Sequence, residues 1–248
     1  MTERAKAYSV LLNTPDASII DSHSHAGFDA TNIVRRRYPI AQGILDMVRK
    51  MDANGVSHAA VFPAPSDLFW FDARGVAFDA NWEPSREPAE RFPYEHANRA
   101  HFSEVELFGR DRIMPFANVL PGVKEEEQID LLREFTSTDQ LFGLKFHSLA
   151  THTPLSSFVE SLFARFAQDH SLPVMFHSGP DEYSRPEQAL DVAEELPDLR
   201  ICIAHAGDFE ATFFNRLRAG RSENLFVDVA PHITNCHFAQ QRTDGEVL

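Results

Sequence analysis

The sequence predicts an α/β fold, a parallel (β/α) barrel of the TIM type, on three observations. Short β-rich runs alternate with helix-like stretches along most of the 248 residues. The crossovers between them are mostly short, as parallel neighbours joined through helices require. Four of the strands carry a histidine at or just past their C-terminal end, the face on which barrel enzymes assemble their sites. No Gly-rich phosphate loop follows the first strand, which disfavours the open dinucleotide-binding alternative. With 43% hydrophobic residues the chain can bury one large core, so a single domain over residues 1–248 is expected.

In order, the first strand is expected over 18–23, an amphipathic helix over 40–54 stopped by Gly55, and a second strand over 57–62. Residues 63–93 then loosen into a Phe-, Trp- and Pro-rich loop insertion, longer than an ordinary βα connection. Its Phe69-Trp70-Phe71 run and Trp82 suit a pocket wall and a contact with another subunit. Helices follow over 94–108, 124–137, 155–169, 186–195 and 211–219, alternating with strands over 112–119, 142–147, 173–177, 201–205 and 225–229. That makes seven strands and leaves an eighth absent, since only PHITNCHFAQQRTDGEVL follows them. Strands one and seven are therefore expected to have open edges, which a closed barrel would lack. Three readings fit: a chain that continues further, a partner that donates the missing strand, or an incomplete relative.

The formal net charge of −14 argues against a nucleic-acid backbone or an anionic membrane as the main partner, because either needs a basic face. Only Cys202 and Cys236 occur, which suits a reducing compartment, and no apolar run approaches the ~18 residues of a membrane helix. A cytoplasmic homo-oligomer acting on a small molecule is expected.

Asp21-Ser22-His23-Ser24-His25 carries two imidazoles two residues apart, and strand alternation points both to one side. Together they can grip one divalent ion, for which imidazole favours zinc and admits manganese or iron. A third ligand should come from another strand end. His177 follows the apolar run Val174-Met175-Phe176, and His205 sits the same way in Ile203-Ala204-His205. Lys145 and His147 alternate likewise, so both are placed to face the barrel mouth and a substrate. Asp181 and Arg185, just beyond His177, are placed to meet a polar or anionic group, although solvated loop residues would look the same.

The motifs IIDSHSHAG, FGLKFHS, LPVMFHSG, LRICIAHAG and NLFVDVA, in this order and spacing, resemble the amidohydrolase superfamily. The similarity is to its amidohydrolase-related branch, which contains aminocarboxymuconate-semialdehyde-decarboxylase-like enzymes. It covers residues 18–231 and is strongest from Phe142 onward. The resemblance implies that His23 and His25 are strand-one metal ligands, that His177 is the strand-five ligand, and that His205 is the strand-six histidine, which either binds a second metal or works catalytically on substrate and water. Lys145 falls where some relatives bear a carboxylated lysine, although this branch usually holds one metal. The departure is the acid: relatives end an eighth strand in an aspartate, whereas Asp244 here lies in a polar stretch with no strand before it. The implied function is hydrolysis of a small organic substrate through a metal-activated water. Nonoxidative decarboxylation of an unsaturated or aromatic acid is the alternative within the fold. A non-catalytic barrel serving as a binding or assembly subunit is the alternative outside enzymology.

Overall fold

The computed structural model describes residues 19–28, 41–64, 77–78, 84–85, 92–205, 213, 215–216, 223–228 and 230. Its strands are β1 (Ile19–Phe28), β2 (Ala41–Gln42), β3 (Val56–Pro63), β4 (Ala77–Phe78), β5 (Pro84–Ser85), β6 (Ile113–Val119), β7 (Gly143–Phe146), β8 (Val174–Phe176), β9 (Ile201–Ile203) and β10 (Leu225–Val227). Between them lie helices α1 (Ile44–Asn54), α2 (Glu95–Phe108), α3 (Glu125–Ser137), α4 (Ser148–Thr151), α5 (Leu162–Asp169) and α6 (Pro186–Glu195). The main sheet runs β10-β9-β8-β7-β6-β3-β1-β2. Its first seven members in that order are parallel to one another, and they curl into a half-barrel with the helices between them.

Strand alternation sorts the core into an outside and an inside. Leu144, Phe146, Val174, Phe176, Ile201 and Ile203 pack outward against helix residues such as Leu132, Phe163 and Leu190. Ala60, Phe62, Met114, Phe116, Met175 and Ala204 form a separate cluster inside the curl. One inner row follows the register across four strands, from Asn118 to Lys145, Met175 and Cys202. The histidines that close strands β7 and β8 lie two residues further along, one layer above this row.

The helices begin and end for local reasons. Helix α1 buries Ile44, Met47 and Met51 at helical spacing and stops at Gly55, whose φ of 68° lets its N–H donate to Met51. The single helix expected over 155–169 is instead a 3-10 turn (Leu155–Phe158) followed by α5. Ser161 makes the break: its hydroxyl donates to the Phe158 carbonyl at 2.7 Å and accepts from Ala164 N at 3.4 Å, ending one element and capping the next.

The first strand also differs from expectation, running past residue 23 to Phe28, because His25 and Ala26 continue in register with Phe62 and Pro63. Both histidines therefore sit within it. Its outer edge is not fully open, since β2 pairs antiparallel with Gly27 and Phe28. Across the other break in the sheet, no ladder joins β10 to β1 among the described residues. Phe69, Trp70, Phe71 and Trp82 lie outside the described residues, as does most of the helix expected over 211–219, of which Phe213 is fully buried.

Gly143 is what lets the inner cluster close under the site. A Cβ there would lie 2.3 Å from the Phe116 ring, which packs against Phe62 at 4.8 Å between ring centroids. Phe62 in turn touches His23 and His25, at 5.0 and 5.5 Å. Gly143→Ala should therefore push Phe116 off its rotamer and lower stability by about 1–3 kcal/mol, the usual cost of overpacking. Urea unfolding measures it, and a stability within about 0.5 kcal/mol of wild type would show that the ring moves freely.

Candidate metal and catalytic site

Asp21 shapes the approach to the site. Its carboxylate accepts from His23 N at 3.0 Å and from the Ser24 hydroxyl at 2.5 Å, so the strand carries one extra residue between Asp21 and Ser24 against β3. This bulge re-aims the two histidines, as bulges beside active sites do. Their Nε2 atoms converge to 3.1 Å.

Each of three histidines has its Nδ1 facing a group that can only accept a hydrogen bond. His23 Nδ1 is 2.8 Å from Asp228 Oδ2, His25 Nδ1 is 3.3 Å from the Pro63 carbonyl, and His205 Nδ1 meets the Ala230 carbonyl. The proton of each neutral ring must then sit on Nδ1, which leaves Nε2 as a bare lone pair. Two lone pairs at 3.1 Å, those of His23 and His25, repel each other unless a cation lies between them. Two nitrogens bound to one tetrahedral zinc would be about 3.3 Å apart, so the donor set fits a divalent ion.

Asp228 joins this group from the end of β10. His23, His205 and Asp228 have ligand atoms within 4.8 Å of one another, the grouping among the described residues that suits a metal ion. The carboxylate is 5% exposed and accepts from three donors, the His23 ring, His205 N at 3.2 Å and Ala230 N at 2.9 Å. Burial alone would raise its pKa, but these donors outweigh that and hold it below the ordinary value. His205 adopts a left-handed backbone, φ 63°, a conformation rare for a residue with a side chain and often found at functional sites.

The other sequence-derived candidates divide. His177 meets His205, with its Nδ1 3.2 Å from His205 Nε2, and lies close enough to His23 and His25 to feel their charge. His147 stacks on His177 at 4.0 Å and accepts from Ala150 N, so its proton sits on Nε2. Lys145 is 1% exposed and lies 5.0 Å over the Phe62 ring, and its Nζ has no hydrogen-bond partner among the described residues. Asp181 stands near His177, but its carboxylate serves its own turn, accepting from Tyr183 N and the Ser184 hydroxyl. Arg185 is exposed at the start of α6.

Asp228 was passed over in the sequence, where the acid was sought after an eighth strand. Its signal was present in Leu225-Phe226-Val227-Asp228, an apolar run closed by an acid at the face where the histidines also end.

Burial dominates the electrostatics. It pushes His25 down to about 3 and His177 to about 2, with the Lys145 ammonium the next cause in both, and it takes His147 well below the ordinary value. His23 is lowered too, despite the pull of Asp228. Burial also lowers Lys145, to about 8, with the Asp228 carboxylate opposing the shift.

A sign follows for stability. The unfolded chain takes up protons on these histidines below about 6.5, whereas the folded chain refuses them until much lower pH. Stability is thus full above about 6.5 and declines as pH falls through that value, by about 1.4 kcal/mol per pH unit for each histidine charged only when unfolded. Asp228 adds to the loss only below its unfolded value of 3.8. Urea midpoints of metal-free protein should therefore drop steeply from pH 7 to 5. A flat profile there would show that the histidines are hydrated in the folded state.

Residues 20–241 match the family model described as amidohydrolase. Among solved structures, an uncharacterized TIM-barrel protein from Bordetella bronchiseptica superposes with a TM-score of 0.56 at 14% identity, over 90% of this chain and 81% of that one. The apo form of Metarhizium anisopliae IDCase gives 0.56 at 10% identity, over 88% and 79%. An amidohydrolase from Burkholderia multivorans with bound HEPES gives 0.52 at 14% identity, over 92% and 78%. No curated protein matches the sequence. These likenesses bear out the TIM-type architecture, and with a family match over most of its length the chain belongs to the amidohydrolase family.

Proposed function

We propose that this chain is a metal-dependent hydrolase of small organic substrates. The observation that carries the reading is the 3.1 Å approach of the His23 and His25 Nε2 atoms, with ligand atoms of His23, His205 and Asp228 within 4.8 Å of one another, at the C-terminal edge of a curled parallel sheet. His23 and His25 hold the ion, with the third position filled by His177, as the motif order supports, or by His205 and Asp228, as the spacing of ligand atoms supports. A divalent ion bound there would supply Lewis acidity, polarising the substrate and acidifying a water.

The protein's own residues do the rest. Where His177 completes the ligand set, His205 Nε2, left without the ring's proton, is the group that accepts a proton. The Asp228 carboxylate accepts the His23 Nδ1 proton and so fixes the tautomer that leaves Nε2 bare, as a carboxylate behind a ligand histidine does. His147 offers an Nε2–H to a substrate oxygen from the neighbouring strand. The motif order further supports placement in the aminocarboxymuconate-semialdehyde-decarboxylase-like branch.

Replacing His23 and His25 together by Ala should reduce bound zinc, manganese or iron from about one equivalent to background in elemental analysis. Unchanged metal content in that variant would remove the pair as ligands. With a substrate found by screening amides, lactones and carboxylates, His205→Asn should lower kcat about 10²–10⁴-fold, the contribution of a positioned acid–base group. Turnover equal to wild type would take His205 out of the proton path. Release of carbon dioxide without uptake of water would assign decarboxylation in place of hydrolysis.

A further inference from the structure

The sheet opens between β3 and β6 at the level of His25. Their register runs from Ala59 against Ile113 to Val61 against Pro115 and stops there among the described residues, although β3 continues to Pro63 and β6 to Val119. Pro63 has no N–H with which to extend the ladder. The backbone groups that face each other across the opening are taken up by side chains. Val61 O accepts from His101 Nε2 at 3.1 Å. Asn118 N donates to Asn98 Oδ1 and Asn118 O accepts from Asn98 Nδ2, both at 2.9 Å. Pro63 O accepts from Asn118 Nδ2 at 3.3 Å. Asn98 and His101 reach in from α2, and all three side chains are 5% exposed or less.

The Pro63 carbonyl serves two donors, because the His25 ring also donates to it from Nδ1, at 3.3 Å. A carbonyl oxygen has two lone pairs, so both bonds can form at once. Asn118 uses its buried side chain on this one contact. Its Oδ1 has no partner, and a buried acceptor left unpaired destabilises a fold. Leucine, of similar shape, would fill the position without that loss. An orphaned group so placed calls for a role beyond packing.

We propose that Asn118 is a positioning residue for the metal ligand His25. By fixing the Pro63 carbonyl, it holds the acceptor to which the His25 ring gives its proton. That keeps His25 Nε2 bare and turned to His23 Nε2, 3.1 Å away. An unbroken ladder would fix this carbonyl with a β6 backbone N–H. With the ladder ended, the Asn118 side chain does so, and Asn98 anchors Asn118 in turn. The inference rests on the metal-site reading above, but its first readout needs no metal.

The test is long-range 1H–15N NMR of metal-free protein labelled with 15N-histidine, near neutral pH, with the His25 signals identified by their loss in His25→Gln. Wild type should carry the His25 proton on Nδ1. Asn118→Leu, which removes the donor, should move that signal towards a mixture of the two tautomers, and Asn118→Gln, which keeps an amide, should restore part of it. In zinc titrations against a competing chelator, Asn118→Leu should bind about 10–100-fold more weakly, the usual effect of removing a group behind a metal ligand. His101→Leu is the control, since it disturbs the same opening at Val61 but leaves the Pro63 carbonyl alone. Its His25 signal should match wild type and its zinc affinity should stay within about twofold, as sites without shared partners act independently. A wild-type His25 protonated on Nε2 would overturn the assignment whether or not the variants fold. So would an Asn118→Leu protein with the wild-type His25 signal, or one that binds zinc as tightly as wild type does. Equal losses in His101→Leu would also overturn it, by making the effect one of packing alone. The expected tautomer change in a protein that takes up no zinc would sink the hydrolase reading and leave the hold of Asn118 on His25 standing.

Discussion

The contact on which the rest depends is the hydrogen bond from the His23 ring to Asp228, 205 residues apart in sequence and 2.8 Å apart in space. Among the described residues no ladder joins β1 to β10, so this buried pair spans the break in the half-barrel with side chains. The same carboxylate holds the backbone of His205 and of Ala230, and so positions the end of β9 as well. Removing one partner of a buried, hydrogen-bonded charge typically costs about 3–5 kcal/mol, and here it would also release the His23 tautomer that directs Nε2 inward. Fold closure and ligand geometry are set by one interaction.

Burial gives the cluster its second property. Several imidazoles can stand within contact of one another only if few are charged, and desolvation ensures that. Neutral imidazole is also the form that binds a metal, so the environment that keeps the folded chain free of like-charge repulsion keeps its ligands ready. Lys145 differs because Asp228 is close enough to favour its charged form. One anionic side chain thus supports a hydrogen bond from His23 and a charge on Lys145 at once.

Much of this was legible in the sequence. The parallel alternation, seven strands and the histidines at their ends follow from periodicity of 2 and 3.6 and from where apolar runs stop. What was hidden depended on geometry that spacing does not carry. A side-chain hydrogen bond from Asp21 extends and bulges β1, Ser161 splits one expected helix by capping its second half, and β2 is only two residues long. The site shows the same division. His23 and His25 meet as the H-x-H pattern implied, whereas the pairing of His177 with His205 depends on how the sheet curls. Asp228 escaped because an acid ending a strand has meaning only once the opposite end of the sheet is known to lie against it.

Phe62 shows how closely packing and electrostatics are joined here. The ring is fully buried on the inner face of β3, edge-on to His23, beside His25 and beneath the Lys145 ammonium. An apolar floor of this kind excludes water from under the cluster, which lowers the histidines and strengthens every remaining charge interaction above it. It also denies Lys145 a solvent partner. The ring's attraction for an ammonium, of order 0.5–2 kcal/mol, falls short of the several kcal/mol that burial of a charge costs. A site floored in this way stays neutral where it must gather imidazoles, and Gly143, by admitting the Phe116 ring that supports Phe62, is the small residue that permits it.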